Sequence, residues 1–245
     1  MVGVLGAPAA SYATVEPLPV GTDVDYQLGG VKAMPAHVGI IVRDRHAAPA
    51  AGRYNVCYVN GFQTQESEQA FWDRHQALVL HDADGQPVED AAWNEFLLDL
   101  RTPDKRAALS KIVGRWIRGC ADDGFDAVEF DNLDSFTRSH GLLKRTQAIA
   151  YARLLVTRAH DSGLAAGQKN LAGFDGTTVG YDFAVSEECG RYHECASYTR
   201  HYGRRVLAIE YRRQDFRWTC DRFGARLAVV LRNRALSAGG VHAWC

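Results

Sequence analysis

Long apolar runs are missing from this 245-residue chain. No stretch approaches the roughly 18 to 20 apolar residues that a helix needs to cross a bilayer, so we expect no membrane partner. Charge of one sign is lacking too, because 28 lysines and arginines nearly balance 29 aspartates and glutamates, for a formal net charge of −1. This balance argues against a nucleic-acid-binding surface, and the basic run Arg212-Arg213 is interpreted as solvated surface.

Motifs for metals and phosphates are equally scarce. The sequence contains no Cys-x-x-Cys and no His-x-x-x-His pair, so we expect neither a metal site nor a cofactor. A glycine-rich phosphate loop is absent after the first predicted strand, where Gly29-Gly30 is too short a signal. Neither a repeat of 20 to 50 residues nor a low-complexity segment is visible, which excludes solenoid and array folds.

Composition and length fit one large globular domain. Hydrophobic residues make up 47% and charged residues 23%, which is enough apolar material for a substantial core. An α/β barrel uses about 250 residues as a single domain. We assign residues 24–245 to this domain and residues 1–23 to an N-terminal tail. Residues 2–13 are small and apolar and resemble the end of a signal peptide, with an unstructured tail as the alternative.

Short apolar runs that end in polar residues alternate with helical patterns, which is the rhythm of βα units. The predicted strands are Val24–Leu28, His37–Val42, Tyr54–Val59, Phe96–Arg101, Phe125–Phe130, Leu164–Gln168, Asp182–Ser186 and Arg205–Ile209. Thr102-Pro103-Asp104 indicates a helix start, and a second helix spans Leu143 to His160 and ends at Ser162-Gly163. Eight strands with long crossovers predict a single (β/α)8 TIM barrel, with an open doubly wound sheet as the alternative.

The stretch from Phe125 to Asp134 is the most informative in the chain, because a buried strand leads directly into Asp131, Asn132 and Asp134. In α/β folds, ligands bind at the carboxyl ends of the strands. Acidic groups at this point are therefore candidates for chemistry. Taken alone, Asp131 or Asp134 could equally cap the next helix.

Polar residues also follow the other predicted strands, and a barrel would bring them to one mouth. The candidates are Gln27, Asp44, Tyr58, Asp99, Arg101, Asp131, Asn132, Asp134, Lys169, Asn170, Glu187, Glu210 and Tyr211. Several carboxylates held close together are electrostatically costly, and glycoside hydrolysis uses such a pair. An enolase-type magnesium site is the alternative, which Lys169 disfavours. Tyr58 and Tyr211 could stack on sugar rings or be structural.

Six cysteines are more than a cytosolic enzyme of this size needs. Cys189 and Cys195 bracket a short loop, and Cys220 and Cys245 could link the end of the chain, so we predict these two disulfides and an extracellular protein. Cys57 lies within an apolar strand and Cys120 at a helix end. We predict that these two are buried free thiols.

A series of ordered motifs runs from about residue 25 to the end of the chain. They are Tyr26–Leu28, Cys57-Tyr58, Leu98–Arg101, Gly124–Asp134, Gly163-Leu164, Gln168–Asn170, Asp182–Cys189, Glu194-Cys195 and Ile209–Tyr211. Each motif is weak, but the series resembles the endo-α-1,4-polygalactosaminidase-like barrels, family 114 of the glycoside hydrolases. The chain departs from that family at Asn60–Gln65, where the family often carries a Ser-x-Gly run closed by a glutamate.

The resemblance implies a secreted endo-hydrolase of α-1,4-linked galactosaminogalactan-type polysaccharide, with Asp131 and Glu187 as catalytic carboxylates. We also expect the protein to be a monomer. We expect Asn132 and Lys169 to keep Asp131 ionised as a nucleophile or stabiliser. We expect burial and the like charge of Glu188 to make Glu187 a proton donor. Lys169 and Asp99 should line the mouth without reacting. The alternative from another class is a catalytically silent glycan-binding barrel.

Overall fold

Parallel strands arranged as a barrel form the centre of the molecule. The structure, a computed structural model, describes residues 14–245. Its strands are β1 Asp23–Gln27, β2 Val38–Asp44, β3 Tyr54–Asn60, β4 Glu89–Asp90, β5 Glu95–Phe96, β6 Ala127–Asp131, β7 Ala165–Lys169, β8 Phe183–Glu187, β9 Val206–Glu210, β10 Ala228–Arg232 and β11 His242–Trp244. Its α-helices are α1 Gln69–Asp73, α2 Pro103–Asp123, α3 Arg145–Asp161, α4 Cys195–Tyr202 and α5 Arg213–Phe223. Short 3-10 turns cover Glu66–Glu68, Gln76–Leu78, Ser135–Arg138 and Gly176–Val179.

The main sheet has the order β1-β2-β3-β6-β7-β8-β9-β10-β11, and its first eight strands are parallel to their neighbours. Strand β11 is antiparallel to β10. Within residues 14–245 no hydrogen-bonded ladder joins β1 to β10, although the two strands lie side by side. Side chains cross this seam instead: Arg232 lies 3.2 Å from Asp25, and Trp244 donates to the carbonyl of Val24 at 2.8 Å. The barrel is therefore nearly closed.

Both faces of this sheet are buried, as parallel strands require, because the barrel interior covers one face and the helices cover the other. Alternate strand residues fill the interior with side chains that include Val24, Tyr26, Ile40, Val42, Val56, Phe183, Val185, Leu207, Ile209 and Val230. The intervening residues pack against α2 and α3 in a second, outer cluster. On β6 the alternation sends Ala127, Glu129 and Asp131 inward, so the interior becomes acidic toward the carboxyl end of this strand.

Seven of the eight predicted strands correspond to parallel strands of the barrel, but the fourth, Phe96–Arg101, is wrong. Strand β3 pairs directly with β6, with Val56 opposite Ala127, which leaves no place for another strand between them. The segment after Phe96 instead joins the outer core, where Leu97 and Leu98 are fully buried and form antiparallel bridges to Gln63 and Val79. The eighth parallel strand is β10, which was not predicted from the sequence.

The two predicted helices are confirmed as α2 and α3. Thr102 caps α2 by accepting a hydrogen bond from the amide of Lys105 at 3.2 Å, and Pro103 occupies the first turn. Gly163 follows α3 with a φ of +79°, as expected for a helix stop. The predicted (β/α)8 barrel is confirmed in its eight parallel strands but not in its helices, because residues 14–245 contain five α-helices rather than eight.

Disulfides join Cys189 to Cys195 and Cys220 to Cys245, as predicted. The prediction of free thiols at Cys57 and Cys120 is wrong, because these residues form a third disulfide. Both side chains belong to the outer core, where α2 packs on β3, and their Cα atoms lie 6.1 Å apart. The disulfide between Cys189 and Cys195 closes a loop at the mouth of the barrel, and the one between Cys57 and Cys120 links helix α2 to strand β3.

The predicted N-terminal tail lies partly outside the described residues, including residues 2–13, which resemble the end of a signal peptide. Within the described part, Leu18 is buried and the first strand begins at Asp23. None of the helices in residues 14–245 combines the length and apolar character needed to span a membrane.

Candidate active site

An open cleft lies at the carboxyl ends of the parallel strands and consists of two adjoining cavities. The first, of about 430 Å³, is lined by residues that include Tyr58, Asp131 and Lys169, and we call it the Asp131 lobe. The second, of about 490 Å³, is lined by residues that include Tyr192 and Tyr198, and we call it the Tyr192 lobe. Both lobes share the six residues Trp93, Asp134, Asn170, Glu187, Tyr211 and Arg234. The two lobes thus form one cleft.

Asp131 and Glu187 face each other across a single lysine. The ammonium nitrogen of Lys169 lies 3.2 Å from Oδ1 of Asp131 and 3.3 Å from Oε2 of Glu187. Because both oxygens contact one nitrogen, they can be separated by at most about 6.5 Å, the combined length of these two contacts. The side chains of Asp131 and Glu187 are 19% and 27% exposed, whereas that of Lys169 is 2% exposed. The carboxylates are therefore more accessible to a ligand in the cleft than the lysine is.

Asp131 is held in its ionised form. Burial alone would raise its pKa, but Lys169, the hydroxyl of Tyr58 and the amide of Asn132 outweigh burial and hold the pKa below its ordinary value. Tyr58 donates to Oδ2 at 2.7 Å and the Asn132 amide donates to Oδ1 at 2.9 Å. The expectation that Lys169 and Asn132 stabilise the carboxylate agrees with these contacts.

Lys169 stays charged although it is buried. Burial lowers its pKa, but Asp131, Glu187 and Glu129 more than offset this effect and leave the pKa well above its ordinary value. Removing any of these carboxylates would leave a buried ammonium short of compensating charge.

Glu187 has different neighbours from Asp131. The hydroxyl of Tyr211 donates to Oε1, and the Asn170 side chain accepts from the backbone amide of Glu187 at 2.9 Å. Glu188, expected to act as a like charge beside Glu187, instead forms ion pairs with Arg191 at 2.9 Å and Arg234 at 2.7 Å. The charge of Glu188 is therefore balanced by two guanidinium groups.

The backbone turns sharply directly after each of the three central residues. Asn132, Asn170 and Glu188, which follow Asp131, Lys169 and Glu187, have φ values of +66°, +51° and +59°. Asparagine tolerates this left-handed region, whereas a glutamate there is strained by about 1 to 3 kcal/mol. The two arginine contacts of Glu188 lie at this strained position. Strands β6, β7 and β8 thus end at the residues that face the cleft.

A buried layer beneath the carboxylate pair was not predicted. Lys169 donates to the hydroxyl of Tyr26 at 2.8 Å, and Tyr26 in turn donates to Glu129, whose carboxylate lies 3.9 Å from the lysine nitrogen. Burial raises the pKa of Glu129 to about 7, against the opposing effect of Lys169. A signal for Glu129 was present in the sequence, because it precedes Asp131 by two residues and must face the same side of the strand.

Eight of the thirteen predicted site residues line the cleft: Tyr58, Asp131, Asn132, Asp134, Lys169, Asn170, Glu187 and Tyr211. The other five do not appear on its walls. Asp44 accepts a hydrogen bond from the side-chain amide of Gln65, and Gln27 accepts one from the guanidinium group of Arg43 at 3.0 Å.

Asp99 and Arg101 pair with each other at 2.7 Å at the start of α2, where Asp99 also binds Lys105. These residues lie at the end of the segment that was wrongly predicted as a barrel strand. Glu210 is fully buried and accepts from the amide of Gly190 at 2.7 Å. These contacts stabilise the rim of the barrel.

The segment between β3 and α2 contributes cleft residues that sequence reasoning missed. Asp90, Trp93 and Glu95 come from the β4–β5 hairpin, and Arg138 comes from the turn after β6. Trp93 is 60% exposed and borders both lobes. The signal available in the sequence was a tryptophan beside polar residues, Asn94 and Glu95. Nothing in the local pattern showed that the hairpin folds back over the mouth.

Two groups of side chains could be considered for a metal ion. Cys189, Cys195 and Glu210 lie close together, but the two cysteines are bonded to each other and offer no thiolate. Between Asp131 and Glu187, a divalent ion would meet the ammonium of Lys169, which already bridges the two carboxylates. The side chains of Asp131, Glu187 and Lys169 therefore suit acid–base or nucleophilic catalysis by the two carboxyl groups better than they suit the binding of a metal ion.

A carboxylate pair in an open cleft at the mouth of an α/β barrel is the arrangement that glycoside hydrolases use. A sequence model of glycoside-hydrolase family GH114 matches residues 5–245, and the chain belongs to this family. The protein is accordingly a glycoside hydrolase. Among proteins with curated descriptions, none matches the chain.

Solved structures share the fold. Aspergillus fumigatus Ega3, in complex with galactosamine, superposes with a TM-score of 0.77 at 21% identity, over 96% of this chain and 100% of that one. The glycoside hydrolase domain of PelA from Pseudomonas aeruginosa gives a TM-score of 0.61 at 19% identity, over 89% of this chain and 97% of that one. At these identities the likeness shows a common fold.

Proposed function

We propose that this chain is a secreted (β/α)8-type endo-hydrolase that cleaves α-1,4-linked, galactosamine-containing polysaccharide with Asp131 and Glu187. The observation that carries this proposal is the carboxylate pair joined by Lys169 in an open cleft. Family membership and the galactosamine complex of Ega3, a protein of the same fold, support the substrate class. The competing reading, a silent glycan-binding barrel, would not need two carboxylates at the same lysine.

In the proposed mechanism, Asp131 attacks or stabilises the anomeric carbon, and Glu187 protonates the leaving oxygen and later activates water. The pKa of Asp131 is lowered because Lys169, Tyr58 and the Asn132 amide together outweigh burial, which suits a carboxylate that must remain ionised. Carboxyl groups about 5 to 5.5 Å apart give retention, and groups about 6.5 to 9.5 Å apart give inversion. The short common contact with Lys169 favours retention, in which Asp131 forms a glycosyl-enzyme intermediate.

The shape of the cleft supports endo action. Glu187 and Tyr211 border both lobes, so polymer units can lie on either side of the reacting bond. Asn132, Asp134 and Asn170 are proposed to contact substrate from the ends of β6 and β7. Three disulfides support an extracellular location, because such bonds are rare in the cytosol.

The test is to incubate the purified protein with de-N-acetylated α-1,4-galactosaminogalactan and to separate the released oligosaccharides over time. We expect a ladder of oligomers from the start of the reaction, with the α configuration at the new reducing ends if retention holds. Release of single sugars alone would contradict endo action. Binding of the polymer without cleavage would support the silent barrel.

A further inference from the structure

Glu95 projects its carboxylate into the Asp131 lobe from the β4–β5 hairpin. Its Oε2 accepts hydrogen bonds from the side-chain amides of Asn60, at 2.9 Å, and Asn132, at 3.4 Å. These two donors come from the ends of β3 and β6, so they fix Glu95 beside the end of the strand that carries Asp131.

Glu95 differs from the other acids of this lobe because no cation of residues 14–245 lies within ion-pair distance of it. Asp131 and Glu187 share Lys169, while Asp90 and Asp134 share Arg138 at 2.7 and 3.0 Å. None of the ion pairs in residues 14–245 includes Glu95. Burial raises the pKa of Glu95 to about 7, with Asp131 and Asp90 adding to the effect and with the Asn60 amide and the charge of Arg138, which forms no ion pair with Glu95, opposing it. This carboxylate would therefore gain most from a positive charge brought into the cleft.

The same hairpin also presents an apolar surface. Trp93, two residues before Glu95, is 60% exposed and borders both lobes. An amino sugar combines an apolar ring face with a cationic edge, and the hairpin offers an indole together with an unpaired carboxylate. A neutral sugar would match the indole alone.

We propose that Glu95 is the specificity residue that selects a cationic amino sugar, by binding the protonated amine of a galactosamine unit in the Asp131 lobe. The proposal rests on the proposed function, because it concerns the same cleft. It assigns discrimination between amine-bearing and neutral units to one side chain outside the carboxylate pair.

A structural role for Glu95 can be separated from this one by Glu95→Gln. The glutamine keeps an oxygen that can accept from Asn60 and Asn132 but removes the negative charge. Glu89→Gln is the matched control, because Glu89 lies on the same hairpin, is exposed and does not line the cleft. Thermal melting followed by circular dichroism shows whether each variant is folded.

The experiment measures equilibrium binding of galactosamine and of galactose at pH 7 by NMR titration, for the wild type and both variants. The two sugars differ at the amine, so the ratio of their dissociation constants reports on recognition of the charge. We expect the wild type and Glu89→Gln to prefer galactosamine by about tenfold or more, the scale of one charge-assisted hydrogen bond. In Glu95→Gln the ratio should fall close to one.

Retention of the preference in Glu95→Gln, or a wild type without measurable preference, would overturn the proposal. The measurement needs no turnover, which separates it from the proposed function. A protein that cleaves no polymer but prefers galactosamine through Glu95 would refute the hydrolase mechanism and uphold this assignment. A protein that cleaves the polymer while Glu95→Gln keeps its preference would do the reverse.

Discussion

At the scale of single residues, Lys169 is the centre of the site. Its nitrogen contacts both Asp131 and Glu187 and donates to Tyr26, while its side chain is shielded from solvent. A buried ammonium between acids keeps the carboxylates close without strong repulsion. In the proposed mechanism Lys169 is therefore a positioning residue, and the bond changes take place at the two carboxylates.

Replacing Lys169 by methionine tests this role. Burial raises the pKa of Asp131, and Lys169 is the largest of the groups that together lower it against burial, so removal of Lys169 should raise that pKa and move the acidic limb of the pH–rate profile to higher pH. The rate should fall as well. The profile of kcat/KM against pH is the measurement, with Tm recorded alongside. An unchanged profile together with a lower Tm would mean that Lys169 only stabilises the rim.

At the scale of elements, the polar residues at the ends of the parallel strands were predictable from the sequence. The β4–β5 hairpin that lies over the mouth of the barrel was not. Asp131, Lys169 and Glu187 each follow a short apolar run, and the parallel pairing of β6, β7 and β8 brings them together. The hairpin that carries Trp93 and Glu95 has strands of two residues each, too short to produce a period in the sequence. Its position depends on contacts with distant strand ends.

Two errors have the same physical origin. The predicted strand Phe96–Arg101 and the predicted free thiols at Cys57 and Cys120 were both inferred from local hydrophobicity. Local hydrophobicity shows that a residue is buried, but it does not show which layer of the fold the residue joins. Leu97, Leu98 and both cysteines lie in the outer core between the barrel and its helices. Strand β10 was missed although its apolar run also ends in a polar residue, Arg232, which the seam with β1 buries completely.

The three disulfides give an element-scale prediction. The bond between Cys57 and Cys120 ties β3 to α2 across a sequence separation of 63 residues. Its removal by Cys57→Ala with Cys120→Ala should lower the free energy of unfolding by about 2 to 5 kcal/mol, which denaturant titration measures. Removing the six-residue link between Cys189 and Cys195 should cost less in the chain-entropy account. Mass mapping of the unreduced protein that found free thiols at Cys57 and Cys120 would contradict this pairing.

At the scale of the whole molecule, acidic groups with raised pKa set the dependence of stability on pH. Burial, the largest cause in each case, raises the pKa of Glu95, Glu129 and Glu210 to about 7, whereas an unfolded glutamate titrates near pH 4.3. The native state therefore binds more protons than the unfolded state between about pH 4.3 and 7. The contribution of these groups to stability falls as pH rises through this window.

We therefore expect Tm to be highest in mildly acidic buffer and to decrease toward pH 8. Glu210→Gln, which removes a fully buried charge, should reduce the difference in Tm between pH 5 and pH 8. Below about pH 4 the trend reverses, because Asp131 and Glu188 have lowered pKa values and lose stabilising interactions once protonated. A Tm that rose steadily from pH 5 to pH 8 would contradict the assignment of these buried acids.

The central claim is that Asp131 and Glu187 act as a pair with different roles, and rates on two substrates test it directly. Asp131→Asn and Glu187→Gln should each lower the rate on the natural polymer by a factor of about 10² to 10⁴, with Glu89→Gln unchanged as the exposed control. On an aryl galactosaminide with a good leaving group, Glu187→Gln should recover most of its first-step rate, since little protonation is needed, while Asp131→Asn should remain inactive. Near-native activity in both variants would refute the site assignment.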